Sequence, residues 1–482
     1  MKALWLLAAM GGAAVALAQT AGTFTATGNM TTARGSGHTA TLLTDGTVLI
    51  VGGCDGESGT LSGAELYDPR SGTFKPIGEM TAPRCGHTAT LLPDGKVLIA
   101  GGDGWTPANR NVGSLASAEL YDPATKTFTP TAKMTMGRFG HAATVLPSGK
   151  VLIAGGFTLG ISTRDPDPVR TSAELYDPFT GIFTPTGTMA GAGGGPFTAI
   201  LLASGKVLIA PRYDDGLWSQ GEIYDPSTGT FSSTANPPAC CVWTATQLMN
   251  DSVLFAYNRS GSADLYDPAS GIFTTLANIT PFRIGHTATL LSDGNVLFAG
   301  GTSSDITDTI IDWAGAEIYD PAKRTFSSTG SMSASRWDHT ATLLNDGRVL
   351  IAGGSVASAE MIYNPQVLVP PPVLLSIPGD VDGKAAILHA ATHQVVSAGD
   401  PAVAGEALEV YCTGLAEGSA IPPFVSIGGR LAEVLFFGKA PGYDGLNQVN
   451  VRVPRGVAAG DAIPVRLQYL GRSSNAVTIA VQ

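Results

Sequence analysis

The chain has 482 residues, of which 44% are hydrophobic and only 14% are charged. Its 61 glycines and 31 prolines are typical of many short strands joined by turns, not of long helices. The formal net charge of −11, with no basic run, argues against a protein that binds nucleic acid or an anionic membrane surface.

The N-terminal segment, residues 1–18, has the organisation of a secretory signal peptide. Lys2 precedes an apolar run, and the small residues Ala16 and Ala18 stand where a signal peptidase would cut. This run is too short to predict a membrane anchor, and no later stretch is long and apolar enough to span a bilayer. The sequence therefore predicts cleavage near Ala18 and a secreted protein, extracellular or periplasmic.

A unit of about 49 residues then recurs along the chain. In one clear copy, an apolar strand (Thr88–Leu92) leads through an Asp-Gly turn to a continuously apolar second strand (Val97–Ala100). After a Gly-Gly pair come a third strand (Glu119–Tyr121), stopped by Asp-Pro, and a fourth (Thr127–Thr131). One such sheet cannot bury both of its faces, so the units are predicted to stack radially.

Two landmarks count the units as seven. The Val-Leu-(Ile/Phe) core of the second strand and the Tyr-(Asp/Asn)-Pro stop each occur seven times, the stops beginning at Tyr67, Tyr121, Tyr176, Tyr224, Tyr266, Tyr319 and Tyr363. The last unit lacks its fourth strand, whereas a spare one, Thr23–Thr25, precedes the first unit. We therefore expect the N-terminal strand to complete the seventh sheet and to remove two exposed edges.

This pattern resembles the kelch-repeat family over roughly residues 22–365, and the resemblance implies a seven-bladed β-propeller. The predicted fold class is accordingly all-β, with a closed propeller over residues 19–366. A Pro-rich stretch, 367–373, is expected to be a stiff linker. Glycine and proline therefore mark both the turns inside the blades and the end of the array.

A second domain is predicted over residues 374–482, where the Asp-Gly and Asp-Pro rhythm stops. Alternating strands are expected at Leu408–Cys412, Val449–Val453, Ile463–Leu467 and Val477–Val481, which suggests an immunoglobulin-like β-sandwich. Two segments, 385–415 and 440–465, resemble a C-terminal domain family common on secreted bacterial proteins. That likeness implies no particular activity.

The two faces of the predicted disc differ in loop length. The turns after the first and third strands of every blade lie on one side, here called the turn face, and they are short. The second-to-third and fourth-to-first connections lie on the other side, the long-loop face, and include the insertions 103–117, 157–171 and 302–315. Variable loops on a rigid scaffold predict a binding face there. The alternative is that the insertions are merely tolerated at the surface.

Histidines and arginines recur at fixed repeat positions. A histidine begins the first strand of five units: His38, His87, His141, His286 and His339. Arginines stand three residues earlier in four of them: Arg84, Arg138, Arg283 and Arg336. A metal site needs a few ligands of mixed type at one place. Occurrence once per unit instead predicts a structural role in blade packing.

A seven-bladed kelch propeller followed by a β-sandwich also resembles galactose oxidase and its copper-radical relatives. That resemblance implies a copper-ligand tyrosine directly before a ligand histidine, and a cysteine-crosslinked tyrosine at the same position of an earlier blade. The corresponding residues here, none a tyrosine, are Gly37, Gly86, Gly140, Pro196, Val242, Gly285 and Asp338. We therefore predict no catalytic residue, metal or other cofactor, with a propeller-centre oxidase or lyase as the alternative.

The fourth and fifth units depart from the repeat and lose the histidine, the arginine and the Gly-Gly pair. Aromatic, Arg, Asn and Asp side chains together suit recognition of a sugar or a polar peptide. The predicted ligand-binding residues are Arg212, Tyr213, Asp215, Trp218, Trp243, Tyr257, Asn258 and Arg259, extended around the rim by Trp105, Trp313, Trp337 and Asp338. The alternative is repeat decay with local repacking. The expected partner is an extracellular glycan or protein, bound by a monomer.

Five cysteines in so long a chain do not predict a disulfide framework, and an odd number leaves at least one free. Cys240 and Cys241 are adjacent, and a bridge between neighbours would be strained. They are expected to be free or joined to each other. A bridge from one of them to Cys85 is the further possibility.

Overall fold

The computed structural model describes residues 22–55, 59–104, 113–158, 168–190, 197–211, 221–234, 242–257, 261–276, 283–304, 310–354, 361–365, 370–376 and 385–482. The predicted signal peptide lies outside these residues. Within them the protein is all-β, with one four-residue helix. None of the described helical residues forms a span long and apolar enough to cross a membrane.

Seven four-stranded antiparallel sheets form the blades of a propeller. The strand β1 (Phe24–Ala26) comes first. Blade 1 contains β2 (Thr39–Leu42), β3 (Val48–Val51), β4 (Gly63–Asp68) and β5 (Thr73–Glu79). Blade 2 contains β6 (Thr88–Leu91), β7 (Val97–Ala100), β8 (Ala118–Asp122) and β9 (Thr127–Pro130). Blade 3 contains β10 (Ala142–Val145), β11 (Val151–Ala154), the helix α1 (Pro168–Thr171), β12 (Ala173–Asp177) and β13 (Ile182–Pro185).

The remaining blades follow the same plan. Blade 4 contains β14 (Phe197–Leu201), β15 (Val207–Pro211), β16 (Glu222–Asp225) and β17 (Thr230–Ser233). Blade 5 contains β18 (Val242–Gln247), β19 (Val253–Tyr257), β20 (Ala263–Asp267) and β21 (Ile272–Thr275). Blade 6 contains β22 (Thr287–Leu290), β23 (Val296–Ala299), a ribbon of β24 (Thr302–Ser304) and β25 (Ile310–Asp312), β26 (Gly315–Asp320) and β27 (Thr325–Ser331). Blade 7 contains β28 (Thr340–Leu343), β29 (Val349–Ala352) and β30 (Met361–Tyr363).

The N-terminal strand closes the disc, as the sequence predicts. β1 pairs antiparallel with β30, placing Phe24 opposite Tyr363 and Thr25 opposite Ile362. The Phe24 and Tyr363 rings lie 4.9 Å apart, and every other blade has a matching phenylalanine–tyrosine contact between its outer strands. First strands of successive blades contact one another all the way round, including β28 with β2. Both exposed sheet edges are thereby removed.

The blades are held together by apolar packing of their second strands. Val48, Val97 and Val151, for example, are fully buried, and the residues that follow them alternate between the two neighbouring blades. A strand covered on both faces has no polar side to alternate with, which explains the uninterrupted apolar runs in the sequence. Each interface between blades is consequently a small hydrophobic core of its own.

The C-terminal domain is a nine-stranded, sandwich-like sheet. Its strands are β31 (Val373–Leu374), β32 (Ile387–His389), β33 (Ala407–Thr413), β34 (Phe424–Ile427), β35 (Arg430–Lys439), β36 (Asn447–Arg452), β37 (Gly460–Tyr469), β38 (Arg472–Ser473) and β39 (Val477–Val481). The four strands expected from alternation coincide with β33, β36, β37 and β39. The ten-residue β35 pairs with β36 on one side and β34 on the other, so the sheet is continuous. It curls around a core that includes Val410, Val449 and Val465.

This second domain contacts the turn face of the propeller. The Ala420 amide donates to the Met249 carbonyl at 2.6 Å, in the first turn of blade 5. The guanidinium carbon of Arg430 lies 3.6 Å from the centre of the Phe179 ring, in the outer turn of blade 3. The long-loop face lies on the opposite side of the disc, away from these contacts.

Candidate ligand-binding site

The connections on the long-loop face are anchored by buried ion pairs. Arg84 is fully buried, and its Nη2 lies 2.9 Å from Oε1 of Glu119 in the third strand of blade 2. Its Nη1 donates to the carbonyls of Gly101 and Ser117. Equivalent pairs join Arg34 to Glu65, Arg138 to Glu174 and Arg283 to Glu317. The repeated arginines are therefore structural, as predicted.

The repeated histidines are also structural, and each bridges two blades. In all five cases Nε2 lies within hydrogen-bonding distance of a threonine Oγ1 at the start of the first strand in the preceding blade. The pairs are His38 with Thr340, His87 with Thr39, His141 with Thr88, His286 with Thr244 and His339 with Thr287, at 2.8–3.3 Å. Backbone carbonyls are further partners, since His38 Nε2 lies 3.2 Å from the Ala352 carbonyl and His286 Nδ1 lies 3.0 Å from the Arg283 carbonyl. The His38–Thr340 contact forms the same link between blades 1 and 7, where the disc closes.

Burial keeps four of these imidazoles neutral. It lowers the pKa of His38 to about 4 and those of His87 and His339 to about 3, and the neighbouring arginines act in the same direction. The pKa of His141 is lowered well below its ordinary value by the same cause. Neutral rings can share a proton with a hydroxyl without a buried charge.

The first strands open at the end of the central axis on the long-loop face, here called the axial mouth. In three blades the residue before the histidine lies there, and its amide donates to the equivalent carbonyl of the preceding blade: Gly86 to Gly37, Gly140 to Gly86 and Asp338 to Gly285, at 2.8–2.9 Å. In blade 4 the amide of Phe197, at the histidine position itself, donates to the Gly140 carbonyl at 2.9 Å. The four glycines in this set have φ of 63–72°, which explains the residue type. Asp338 adopts φ 53° and adds a carboxylate to this position.

Two predicted tryptophans flank one segment of blade 6 at the axial mouth. The indole N–H of Trp243, in blade 5, donates to the His286 carbonyl at 3.1 Å. On the other side, a side chain at Gly285 would meet the Cβ of Trp337, in blade 7, at 2.9 Å. Both tryptophans are half-buried. The fold thus brings together Trp243, Trp337 and Asp338, which are separated by almost 100 positions in the sequence.

Trp313 extends this arrangement on blade 6. Its Nε1 donates to Ser303 Oγ at 3.0 Å, its backbone N–H donates to Gly301, and its carbonyl accepts from Arg336. The residue directly precedes the third-strand region and closes the base of the β24–β25 ribbon. Trp243, Trp313, Trp337 and Asp338 are hereafter called the tryptophan cluster. The half-buried indole of Trp337 and the carboxylate of Asp338, both against Gly285, can stack on a flat ligand and accept hydrogen bonds from it.

Blade 3 contributes aromatic residues that the sequence did not single out. The rings of Phe139 and Phe157 lie 5.3 Å apart, joined by a backbone bridge at the start of the long insertion. The buried Arg170 of α1 has its guanidinium carbon 5.9 Å from the Phe157 ring centre. One sequence feature indicates that Phe139 lies beside the axial mouth: it directly precedes Gly140 and His141.

Tyr257 has a structural role, which corrects its assignment to the ligand-binding surface. It is 2% exposed, and its hydroxyl donates to Oδ2 of the buried Asp264 at 2.6 Å. Asp264 replaces the glutamate that pairs with arginine in other blades, and blade 5 lacks that arginine. Phe197 likewise fills the histidine position of blade 4 and packs against Gly155 in blade 3. At these two residues, local repacking explains the departure from the repeat.

Replacing Tyr257 with phenylalanine is expected to destabilise the protein by about 1–3 kcal/mol, because a buried carboxylate oxygen loses its donor. Urea-induced unfolding followed by circular dichroism measures this change. Tyr443→Phe is the matched control, since Tyr443 is 54% exposed. Equal stability of the two variants would show that the buried hydrogen bond contributes nothing.

Several predicted site residues lie outside the described parts of the chain. They are Trp105, Arg212, Tyr213, Asp215, Trp218, Asn258 and Arg259. Their assignment to the ligand-binding surface stays a prediction. The described segments that border them, ending at Gly104, Pro211 and Tyr257, all lead to the long-loop face.

A disulfide joins blades 1 and 2 beside the axial mouth. Cys54 and Cys85 are bonded, with their Cα atoms 5.5 Å apart. The possible bridge from Cys85 to blade 5 is therefore wrong. Cys412 is free and buried in the C-terminal domain, and Cys240 and Cys241 lie outside the described residues. The sequence hid this pairing, because 31 positions separate its two cysteines and the fold brings their loops together.

The fold and its axial site define a kelch-type seven-bladed β-propeller with a sandwich-like C-terminal domain. The Kelch motif family matches residues 37–81. Among solved structures, a fungal alcohol oxidase of the AA5 family, in complex with copper, is similar over 95% of this chain and 99% of its own, with 17% identity and a TM-score of 0.59. The structure of YjhT covers 61% of this chain and 97% of its own, with 16% identity and a TM-score of 0.44. Comparison with curated proteins gives no significant match.

Among the described residues, those at the axial mouth do not fit a copper-radical centre of the galactose oxidase kind. The histidine Nε2 atoms point to threonines of the preceding blade, and the mouth positions before them hold glycine or Asp338 in place of tyrosine. Over the described part of the chain, no three His, Cys, Asp or Glu side chains form a group that could hold a metal ion. The described residues beside Gly285 and His286 at the axial mouth are instead Trp243, Trp337 and Asp338.

Proposed function

We propose that this protein is a secreted, monomeric binding protein that recognises a carbohydrate or a protein through its long-loop face. The tryptophan cluster carries the proposal. Trp243 and Trp337 lie on either side of Gly285–His286, and Asp338 follows Trp337. Stacking on indoles combined with hydrogen bonds to a carboxylate is suited to a pyranose ring or a polar loop. Both partner classes use this chemistry.

The placement of the C-terminal domain supports the choice of face. Ile421, Pro422 and Phe424 lie under the turn-face end of the axis, where they share a cavity of about 490 Å³ with first-strand residues such as Leu91 and Leu201. The C-terminal domain therefore covers the axis on the turn-face side, which supports ligand binding on the long-loop side. We propose that this domain, from residue 374, is an immunoglobulin-like spacer or contact module.

Secretion is supported by two independent features. The leader of residues 1–18 has the charge and apolar pattern of a signal peptide. The Cys54–Cys85 disulfide is of a type that persists in oxidising compartments. An extracellular or periplasmic location gives the long-loop face access to glycans and surface proteins.

Glycan and protein arrays probed with the mature chain test the proposal. Trp337→Ala is expected to weaken binding of any array ligand by about 30-fold or more, since a central tryptophan in an interface is worth about 2 kcal/mol. Asp338→Asn tests the carboxylate separately, because asparagine also adopts the left-handed conformation of this position but carries no charge. Phe436→Ala, on the C-terminal domain, is the control. Binding that is unchanged in Trp337→Ala, or lost equally in Phe436→Ala, would refute the site.

The alternative is an oxidase or lyase with its active site at the propeller centre. The likeness to the AA5 alcohol oxidase, which extends over both domains, favours it at the level of fold. Metal analysis of the purified protein distinguishes the two. Stoichiometric copper with radical absorbance would replace the binding proposal by an oxidase.

A further inference from the structure

A second cleft lies on the turn face, between the propeller and the C-terminal domain. It has a volume of about 1050 Å³. One wall is formed by the first turns of blades 3 and 4, around Pro147 and Ala203–Gly205. The other wall is formed by β35 and by Pro422–Phe424. Small-molecule sites are commonly found between domains and have about this size.

The cleft contains exposed apolar side chains. Leu435 and Phe436, on β35, are 41% and 44% exposed, among the most exposed large hydrophobic residues described. A register shift between Val434 and Phe436 interrupts the pairing of β35 with β36 at this point. Strand bulges of this kind redirect side chains, and here Leu435 and Phe436 both line the cleft. Water-exposed apolar surface inside a concavity favours an apolar ligand.

The charge of the cleft is opposite to that of the whole protein. Of the described residues that line it, Glu433, Arg452 and Arg455 are charged, so this lining has a positive net charge in a chain whose net charge is −11. Arg452 is engaged, since it bonds to Glu433 at 2.9 Å and to the Gly405 carbonyl at 3.1 Å. Arg455 is exposed and has no ion-pair or hydrogen-bond partner in the described residues. One guanidinium is thus free beside the apolar wall.

We propose that this cleft binds a small amphipathic organic anion, with an aromatic or aliphatic body against Leu435 and Phe436 and its acidic group on Arg455. The walls come from two domains, so the occupant is a free small molecule and not a membrane surface. The site is separate from the tryptophan cluster and does not depend on the function proposed for it.

The dye 8-anilinonaphthalene-1-sulfonate, an aromatic anion, is the probe. Fluorescence titration of the full mature chain is expected to show one saturable site. Arg455→Gln and Phe436→Ser are each expected to weaken binding by about tenfold or more. The first variant loses the charge pairing with the dye, and the second loses the apolar contact. Ile272→Ser is the matched control, since Ile272 is 54% exposed on blade 5 and lies outside the cleft.

Near-ultraviolet circular dichroism identical to that of the wild type shows that each variant is folded. Binding unchanged in Arg455→Gln would overturn the assignment of an anion, and binding lost equally in Ile272→Ser would overturn the cleft. A concentration-dependent dimer in sedimentation that Phe436→Ser abolishes would replace the small molecule by a second copy of the chain. Displacement of the dye by anionic vesicles would replace the small molecule by a lipid surface as the occupant of the cleft.

Discussion

Acidification from pH 6.5 towards pH 4 is expected to lower the free energy of unfolding by up to about 1.4 kcal/mol per pH unit for each of four buried histidines of the propeller. Burial holds the pKa of His38 near 4 and those of His87 and His339 near 3, and it holds the pKa of His141 well below its ordinary value. The unfolded chain takes up protons below about pH 6.5, whereas the folded chain does not. Stability from these groups is therefore complete above pH 6.5 and is lost as pH falls towards the folded-state values.

Urea unfolding at a series of pH values measures this loss. His87→Gln should reduce the slope of stability against pH by about one proton between pH 6 and 4. His393→Gln is the control, because His393 is exposed in the C-terminal domain and makes no contact between blades. A slope that His87→Gln leaves unchanged would mean that His87 titrates normally in the folded protein.

Glu119→Gln is expected to destabilise the protein by about 3–5 kcal/mol, because it leaves the buried Arg84 charge uncompensated. Burial already lowers the pKa of the Arg84 guanidinium, and Glu119 offsets that effect. The same carboxylate accepts the Thr81 amide at 2.8 Å, so it fixes two points of the connection entering blade 2.

Thermal and urea unfolding of Glu119→Gln measure the change against Glu433→Gln. Glu433 pairs with Arg452 at 2.9 Å, but both side chains are about half exposed or more, and such pairs contribute about 0–1 kcal/mol. Similar losses of stability in the two variants would show that the buried ion pair stabilises the protein no more than the exposed pair does.

The repeat determined most of the fold in advance. Seven copies of an apolar second strand and a Tyr-Asp-Pro stop predict seven sheets, and the spare Thr23–Thr25 strand predicts how the disc closes. These are local signals, repeated often enough to average out their exceptions. The alternating strands after residue 400 likewise predict the core of the C-terminal domain, although its continuous sheet depends on β35, which joins β36 to β34 and which no pattern reveals.

The candidate site was predicted less completely, because it depends on contacts between blades. Trp243 and Trp337 are neighbours only through Gly285–His286. Tyr257 resembles a surface residue in sequence, yet its partner Asp264 turns it inward. The Cys54–Cys85 bridge joins two loops whose distance only the closed disc defines. The sequence identifies the residues that depart from the repeat, but only the fold shows which of them are buried in the blades.

Hydrogen–deuterium exchange of the mature chain, with and without the strongest array ligand, tests the long-loop face most directly. Binding there predicts slower exchange in peptides covering 242–247, 310–315 and 333–343, where the tryptophan cluster lies, and unchanged exchange in 430–439. Protection confined to 430–439, or distributed over the turn face, would contradict the proposed site.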